Sequence, residues 1–470
     1  MGRVVSGIMP VRGASRRGGS RAIDWNHQQE VAAAIGPREV GRGMTSDQSA
    51  TSGGGPRFGW GLSGHRDASM AAAQVAERAA AHLGGACDLA MVFIAGEHVA
   101  SAESVAREVR ERLAPGAMIG VSTQAVIGGS VELEGAPGVS VLAARLPGVR
   151  VREFSTGDLV PGPAQGASPS RLGERLGLGE DLRAMVLLAD PFSLPLVKLL
   201  PELNGARAVV DGRGCGQIVG GLASGGRVAG DSRLIVGGQV LASGGVGVTL
   251  SGALRVDAVV SQGARAIGEN LVVTKARGNA VMELGGRPAL GVLEGLFEHL
   301  RDGDQTLVRE QGVLMGVVAD EYKDRFGRAD YLVRNVVGAD RESGALAVAD
   351  RVRVGQTVRF HVRDRRTAHE DLAMLMDAQG IHGPPAGVLL ISCNQRGKSL
   401  FGGPSHDAES VCRAFAPEVP GEVRAKGGIA MATAASVPLA GFFAAGEIGP
   451  VGGWSALHGQ SACAVVFRGM

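Results

Sequence analysis

Aromatic residues are scarce in this 470-residue chain, at 4%, with two tyrosines and three tryptophans. Lysine is scarcer still relative to arginine, which supplies nearly all of the 48 basic residues. Proline is limited to 20 residues and glycine shows no G-X-Y period, so the 75 glycines do not make a collagen-like helix. The five cysteines, Cys87, Cys215, Cys393, Cys412 and Cys463, lie far apart and include no CxxC. That spacing argues against a disulfide framework and a zinc site, and suits a reducing compartment. The first 25 residues have no apolar core, so no secretory signal is expected. Gly427 to Gly446 is uncharged but mostly Gly and Ala, with Thr433, Ser436 and Pro438 inside it. It reads as a helix end, a turn and a strand rather than a membrane span.

What is present is ordinary for a folded protein. Apolar residues make up 45%, which excludes wholesale disorder, and the length allows two or three domains. The Gly/Ala/Arg bias is that of a GC-rich genome and carries no function. Net charge is +2, but residues 1–57 carry eight arginines against four acids, leaving the remainder slightly acidic. The folded part therefore lacks the electrostatic footprint of a nucleic-acid binder. Residues 1–57 read as a disordered Gly/Ser/Arg-rich leader ending in Ser52-Gly-Gly-Gly-Pro56. Its arginines and lack of early acids fit a transit peptide, and a start at Met44 fits equally well.

After Phe58 the pattern becomes regular. Asp67 caps an expected helix with Ala72, Val75, Ala76, Ala79 and Leu83 on its apolar side, and Gly84-Gly85 ends it. Leu89 to Ala95 is a fully apolar strand, and Ser101 opens a second helix with Val105, Val109 and Leu113. The strands at 117–122 and 139–146 follow, around a turn at Gly128-Gly129. The order strand, helix, strand, glycine turn, strand recurs from Met185 to Leu250 and again from Gly387 to Phe467. The fold class is thus α/β: pseudo-repeated α/β units with mixed sheets in two domains, 58–262 and 263–470, behind the leader. Between the second and third copies, residues 271–284 read as a hairpin around Gly278-Asn279, and Pro288 fits the first position of a helix. Val358, Phe360 and Val362 alternate with Arg359, His361 and Arg363 as a half-exposed strand. Thr367 with Glu370 forms a capping-box pattern.

Two glycine-rich motifs imitate nucleotide sites and fail on spacing. Gly212 to Gly220 places Val219 or Gln217 where a dinucleotide fingerprint needs glycine, and it precedes a strand. Ser392 to Ser399 ends in Gly-Lys-Ser but lacks the first glycine, and Leu400-Phe-Gly-Gly-Pro404 follows where a phosphate-binding helix must begin. What remains is a C-terminal constellation just after apolar strands: Cys393, Asn394, Arg396 and Gly397; Gly446, Glu447 and Gly449; and His458. Arg396 can fork two hydrogen bonds onto a carboxylate and Glu447 can accept from an amine. Each has a plainer role open to it: an Arg396–Glu447 ion pair between loops, a His458 bonded to a backbone carbonyl, a Cys393 acting as a small hydrophobe.

The stretches SCNQRG…LFG, GFFAAGEIGPVGG and LHGQSACAVVF resemble the C-terminal half of the FIST family. DLAMVFIAGEH, IGVST and IVGGLASGG are similar to its N-terminal domain, and VTKARGNAVMELGGRPAL to the entry into its C-terminal domain. Gln395 departs from the glycine common before Arg-Gly in that family. The resemblance implies a stand-alone sensory protein for a small ligand such as an amino acid. Gly220 and Gly221, at a turn between buried strands, permit close backbone approach to such a ligand and join the constellation. The resemblance implies no catalytic residues, cofactor or metal, and a cytoplasmic location unless residues 1–57 direct import into an organelle. A scaffold for a protein partner in signal output is the second reading. The third is a hydrolase or transferase with Cys393 as nucleophile, His458 as base and Glu447 as orienter.

Overall fold

The computed structural model describes residues 54–159, 169–211, 216–416 and 437–470. Most of the expected leader, residues 1–53, lies outside them, and the first strand already begins at Arg57. The small-residue stripe after Asp67 becomes α1 (Ala68–Leu83), as its spacing predicts. The Asp67 carboxylate accepts the Met70 N–H at 2.8 Å, and Gly84 ends the helix in a left-handed conformation.

The three expected copies are present, and each builds the same four-stranded core. In the first, β1 (Arg57–Ser63), β2 (Leu89–Ala95), β3 (Ala117–Thr123) and β6 (Gly138–Arg145) take the order β1-β6-β2-β3, with α2 (Ala102–Leu113) crossing from β2 to β3. The second has β7 (Val149–Ser155), β8 (Leu182–Ala189), β9 (Gln217–Leu222) and β12 (Gly245–Gly252) in the order β7-β12-β8-β9, with helices α3 (Pro169–Leu176) and α4 (Leu196–Asp211). In every copy one central pair is parallel and the flanking strands are antiparallel. A parallel neighbour needs a crossover, and the helix supplies it.

Between the third and fourth core strands each copy extends a hairpin, and none of these hairpins joins its own sheet. The first copy's β4 (Ala125–Gly128) and β5 (Val131–Glu134) extend the third copy's sheet. The second copy's β10 (Leu234–Val236) and β11 (Gln239–Leu241) pair onto β3 of the first.

The third copy starts with β13 (Arg255–Gln262) and is interrupted at once by a barrel. Its strands are β14 (Ala264–Arg277), β15 (Ala280–Leu284), β16 (Arg287–Pro288), β17 (Leu314–Val318), β18 (Tyr331–Asp340), β19 (Ala345–Val348) and β20 (Thr357–Arg363). Because β14 pairs with both β20 and β15, the ring closes and leaves no open edge among its main strands. Helices α5 (Ala289–His299) and α6 (Asp302–Gln311) sit between β16 and β17 in the chain. The copy then resumes with α7 (Arg365–Gly380), β21 (Gly387–Cys393), α8 (Gly397–Phe401), α9 (His406–Ala414) and β22 (Leu439–Ala444). Its hairpin, β23 (Glu447–Val451) and β24 (Trp454–His458), pairs with β9 of the second copy, and β25 (Ser461–Arg468) closes the order β13-β25-β21-β22. The three exchanges therefore form a closed cycle.

The inner faces of the three sheets share one apolar core. Phe93 of the first copy stacks on Phe442 of the third at 4.9 Å between centroids, with Val186 and Val219 of the second beside them. Helices cover the outer faces with separate clusters around Val75 and Val109, Leu199 and Leu203, and Leu372 and Val411. Each parallel pair carries a glycine facing its neighbour: Gly120 opposite Val92, Gly220 opposite Leu187, Gly441 opposite Leu390. A Cβ on Gly220 or Gly441 would overlap the carbonyl group of that neighbouring residue. This is a requirement for close backbone approach, which composition alone cannot express.

Three local expectations are corrected. His361 and Arg363 are buried, because Tyr331 of β18 packs on the His361 ring and α6 lies against β20, its Gln311 reaching Arg363. Asp364, not Thr367, caps α7, its carboxylate accepting from Arg366 and Thr367 N–H groups. A short helix, α8, does begin at Gly397, although its five residues end at Phe401 with Gly402 as the left-handed cap. Residues 427–436 of the uncharged run lie outside the described residues, while Leu439–Ala444 is the strand expected there. No helix among the described residues is long and apolar enough to cross a membrane.

Candidate functional site

The third copy gathers its polar side chains where β21 and β22 end. In α/β sheets the carboxyl ends of parallel strands are where ligands meet the fold. Cys393 is the last residue of β21, and the chain turns immediately so that Arg396 points back into the protein with no exposed surface. Its guanidinium forks onto Asp407 of α9, with Nε and Nη2 donating at 2.7 and 2.9 Å. Ser392 donates to the same carboxylate at 2.7 Å, and His406 contacts it at 3.0 Å. Burial alone would raise the Asp407 pKa, but the Arg396 charge and these hydrogen bonds hold it well below the usual carboxylate range. Arg396 Nη1 is left without a partner.

Glu447 enters from the other side. It opens β23 and pairs with Gly221 of β9, while Ile448 pairs with Gly220. Its carboxylate is fully buried and accepts from Ser461, the hydroxyl at 2.6 Å and the N–H at 3.2 Å; the Cys393 thiol is also within reach of the carboxylate, and Oε1 has no partner in good hydrogen-bond geometry. Burial outweighs those hydrogen bonds and pushes its pKa up to about 8. A raised acid is protonated in the folded protein while the unfolded chain has already lost its proton. Glu447 therefore withdraws stability as pH rises from its ordinary 4.5 through about 8.

Cys393, Asn394, Arg396 and Glu447 are thus brought together, with Gly220 and Gly221 as strand partners of the Glu447 segment. Gly446 accepts the Leu222 N–H through its carbonyl, and Gly449 lies against Cys463. His458 faces Glu447 across the hairpin, yet its Nε2 bonds the Gly449 carbonyl at 3.1 Å. Gly397 stands apart: it packs on Glu134 of the first copy's hairpin, whose carboxylate takes the Lys398 N–H at 3.0 Å. The loop that imitates a phosphate site is filled by the protein's own carboxylate.

The plainer roles are settled individually. Arg396 pairs with Asp407 rather than Glu447, and His458 does bond a backbone carbonyl. Burial, then the neighbouring Arg334, lowers His458 to about 4, so it is neutral at pH 7. Burial pushes the Cys393 thiol up to about 12, and Sγ accepts the Gln460 N–H at 3.2 Å. A protonated, covered thiol is a poor nucleophile. Cys393 is expected to resist iodoacetamide at pH 7.5 in the folded protein and to react fully in urea, as peptide mapping would read. Rapid native alkylation would revive the nucleophile reading.

Sequence reasoning missed Arg363, Asp407, Gln460 and Ser461. Arg363, at the end of β20, lies near the Cys393 thiol and near enough to Arg396 for the two guanidinium charges to repel, and its Nε and Nη2 are unpaired. Gln460 adopts a left-handed backbone at the β24–β25 turn and donates through Nε2 to Asn335 at 2.7 Å, while its Oε1 has no partner. Gln460 and Ser461 had a legible signal, since they directly follow the Leu457-His458-Gly459 motif; Arg363 looked like the exposed side of a strand. Among the described residues no three His, Cys, Asp or Glu side chains are grouped to hold a metal ion.

Next to this cluster is a cleft of about 350 Å³ between α4, β18 and the β24–β25 turn, lined in part by Val197, Leu200, Asn335, His458 and Gln460.

The molecule is therefore an α/β protein of three hairpin-exchanging repeats in which Arg396, Asp407, Glu447 and Arg363 are buried near the strand ends of the third copy. The FIST N domain matches residues 88–287 and the FIST C domain residues 289–450, and the chain belongs to the FIST family. Its domains are associated with signal transduction and ligand sensing. An uncharacterized protein of Mycobacterium tuberculosis (strain H37Rv) is 39% identical over 415 residues, 87% of this chain and 99% of that protein. One from Mycobacterium bovis is 37% identical over 87% of this chain and 98% of its own length.

Proposed function

We propose that this chain is a sensory binding protein for a small zwitterionic metabolite, an amino acid or a close analogue, with its site at the strand ends of the third copy. The observation that carries the reading is the set of buried polar atoms without partners. Donors are left over on Arg396 Nη1 and on Arg363 Nε and Nη2, and acceptors on Glu447 Oε1 and Gln460 Oε1. Buried polar groups are normally satisfied, and leaving each one unmade costs about 1–3 kcal/mol. A carboxylate answers the guanidinium donors and an ammonium answers the acceptors. The cleft supplies access and is at the small end of ligand sites, roughly 300–1,000 Å³. The unpaired, scattered cysteines suit the cytoplasm.

The charge on Glu447 gives the test. With its pKa near 8, the site must expel a proton before it can accept an ammonium. Affinity is expected to rise with pH, by roughly tenfold per unit at most, and to level off above about 8. Titration calorimetry with a panel of amino acids between pH 6 and 9 would read this. Glu447→Gln should flatten the profile and weaken binding. A wild-type affinity independent of pH would sink the assignment of Glu447. No heat and no thermal shift with any amino acid would sink the reading itself.

A further inference from the structure

Gln460 is the residue common to the open cleft and the buried charges. It lines the cleft, its N–H reaches Cys393 Sγ, and its carbonyl accepts the Gly263 N–H at 3.0 Å. Gly263 in turn lies beside Arg396 Nη1, where a Cβ would stand 3.3 Å from that nitrogen. Gln460 is about nine-tenths buried, with its Oε1 unpaired. The rest of the cleft differs in character. Val197, Leu200 and Pro201 of α4 face Val333 of β18 and Leu457 of β24, and Val197 is exposed although apolar. Arg334 and Asp350 in its lining already pair with each other at 2.7 Å. Among its described lining residues the cleft thus combines one unmet polar atom, Gln460 Oε1, with an aliphatic wall.

Resting on the reading above, we infer that the ligand is an α-amino acid with a short aliphatic side chain, and that Gln460 is the specificity residue reading its head group. The carboxylate meets the guanidinium donors, and the ammonium meets Gln460 Oε1 together with Glu447. The side chain remains in the cleft against Val197, Leu200 and Val333. A longer charged side chain has no free counter-charge there, because Arg334 and Asp350 answer each other. Entry to Arg396 requires the Gln460 amide to leave Asn335, so the head group exchanges one hydrogen bond for another.

The test is titration of the full chain with L-leucine, glycine and L-glutamate, repeated on Val197→Glu. Val197 is exposed on α4, so this variant is expected to fold, which circular dichroism checks. Leucine is expected to bind at least tenfold more tightly than glycine or glutamate, as burial of even one methylene can provide. Val197→Glu should weaken leucine by much more than glycine, bringing the two affinities together. Gln460→Ala should weaken leucine and glycine by the same factor. Equal affinities for leucine and glycine, or equal weakening of both by Val197→Glu, would overturn the aliphatic assignment and leave the zwitterion site standing. If Gln460→Ala spares both ligands, Gln460 loses its role. Failure of all three amino acids to bind wild-type protein would overturn this inference and the site beneath it together.

Discussion

Replacing Asp407 by alanine is expected to destabilise the protein by about 3–5 kcal/mol, because it strands the Arg396 charge in a place without water. Both side chains have no exposed surface, and among the described residues Arg396 has no second carboxylate within bonding distance to fall back on. Its other neighbours are Phe401, with the guanidinium 5.3 Å from the ring, and the Cys393 thiol. The double variant Arg396→Met with Asp407→Leu should recover much of the loss, since a buried pair exchanged for apolar side chains is often neutral. Urea denaturation of the two single variants and the double variant measures this. Simple additivity would mean that the two side chains do not act as a pair. The pH dependence has a definite sign. A depressed acid contributes its stability above the ordinary aspartate value of 3.8 and loses it as pH falls through the lower folded value. The pair therefore persists through mild acid, and Asp407→Ala should narrow the difference from wild type only in strong acid.

A second large effect is expected at Gly441. Gly441→Val would drive its Cβ into the Leu390 carbonyl in the middle of the parallel pair. Backbone cannot move aside as a side-chain tip can, so the cost is expected to be about 3 kcal/mol or more, above ordinary overpacking. Gly403→Ala is the control, with open space around it, and should change stability by roughly 0.5 kcal/mol at most. Denaturation midpoints separate the two. Equal midpoints would show that the sheet can spread at Gly441.

The repeat was legible because its signals are local. Buried parallel strands read as continuous apolar runs, such as LAMVFIA, and glycine pairs mark the turns between them. The destination of each hairpin was not legible. Val126 and Ile127 have the same apolar character whether they pair with their own sheet or with β22, and only tertiary structure separates the cases. The same limit applies to the site. Cys393, Arg396 and Glu447 stood out because they follow apolar strands. Asp407 was read only as the start of a helix, and Arg363 as the wet side of a strand. Their meeting depends on contacts made by the barrel and α9, which no short-range period encodes.

The cycle of exchanged hairpins has a consequence for how the protein can come apart. Each sheet is completed by strands from another copy, so removing any one copy exposes an edge in a second and leaves the hairpin of the third without the sheet it pairs with. Loosening at one junction is shared around the ring, and the three copies should melt as one body. The barrel is the exception, since it enters and leaves between β13 and α7 and takes no part in the exchange. A ligand held between that barrel and the ring would therefore touch the one part of the molecule whose movement costs no link in the circuit.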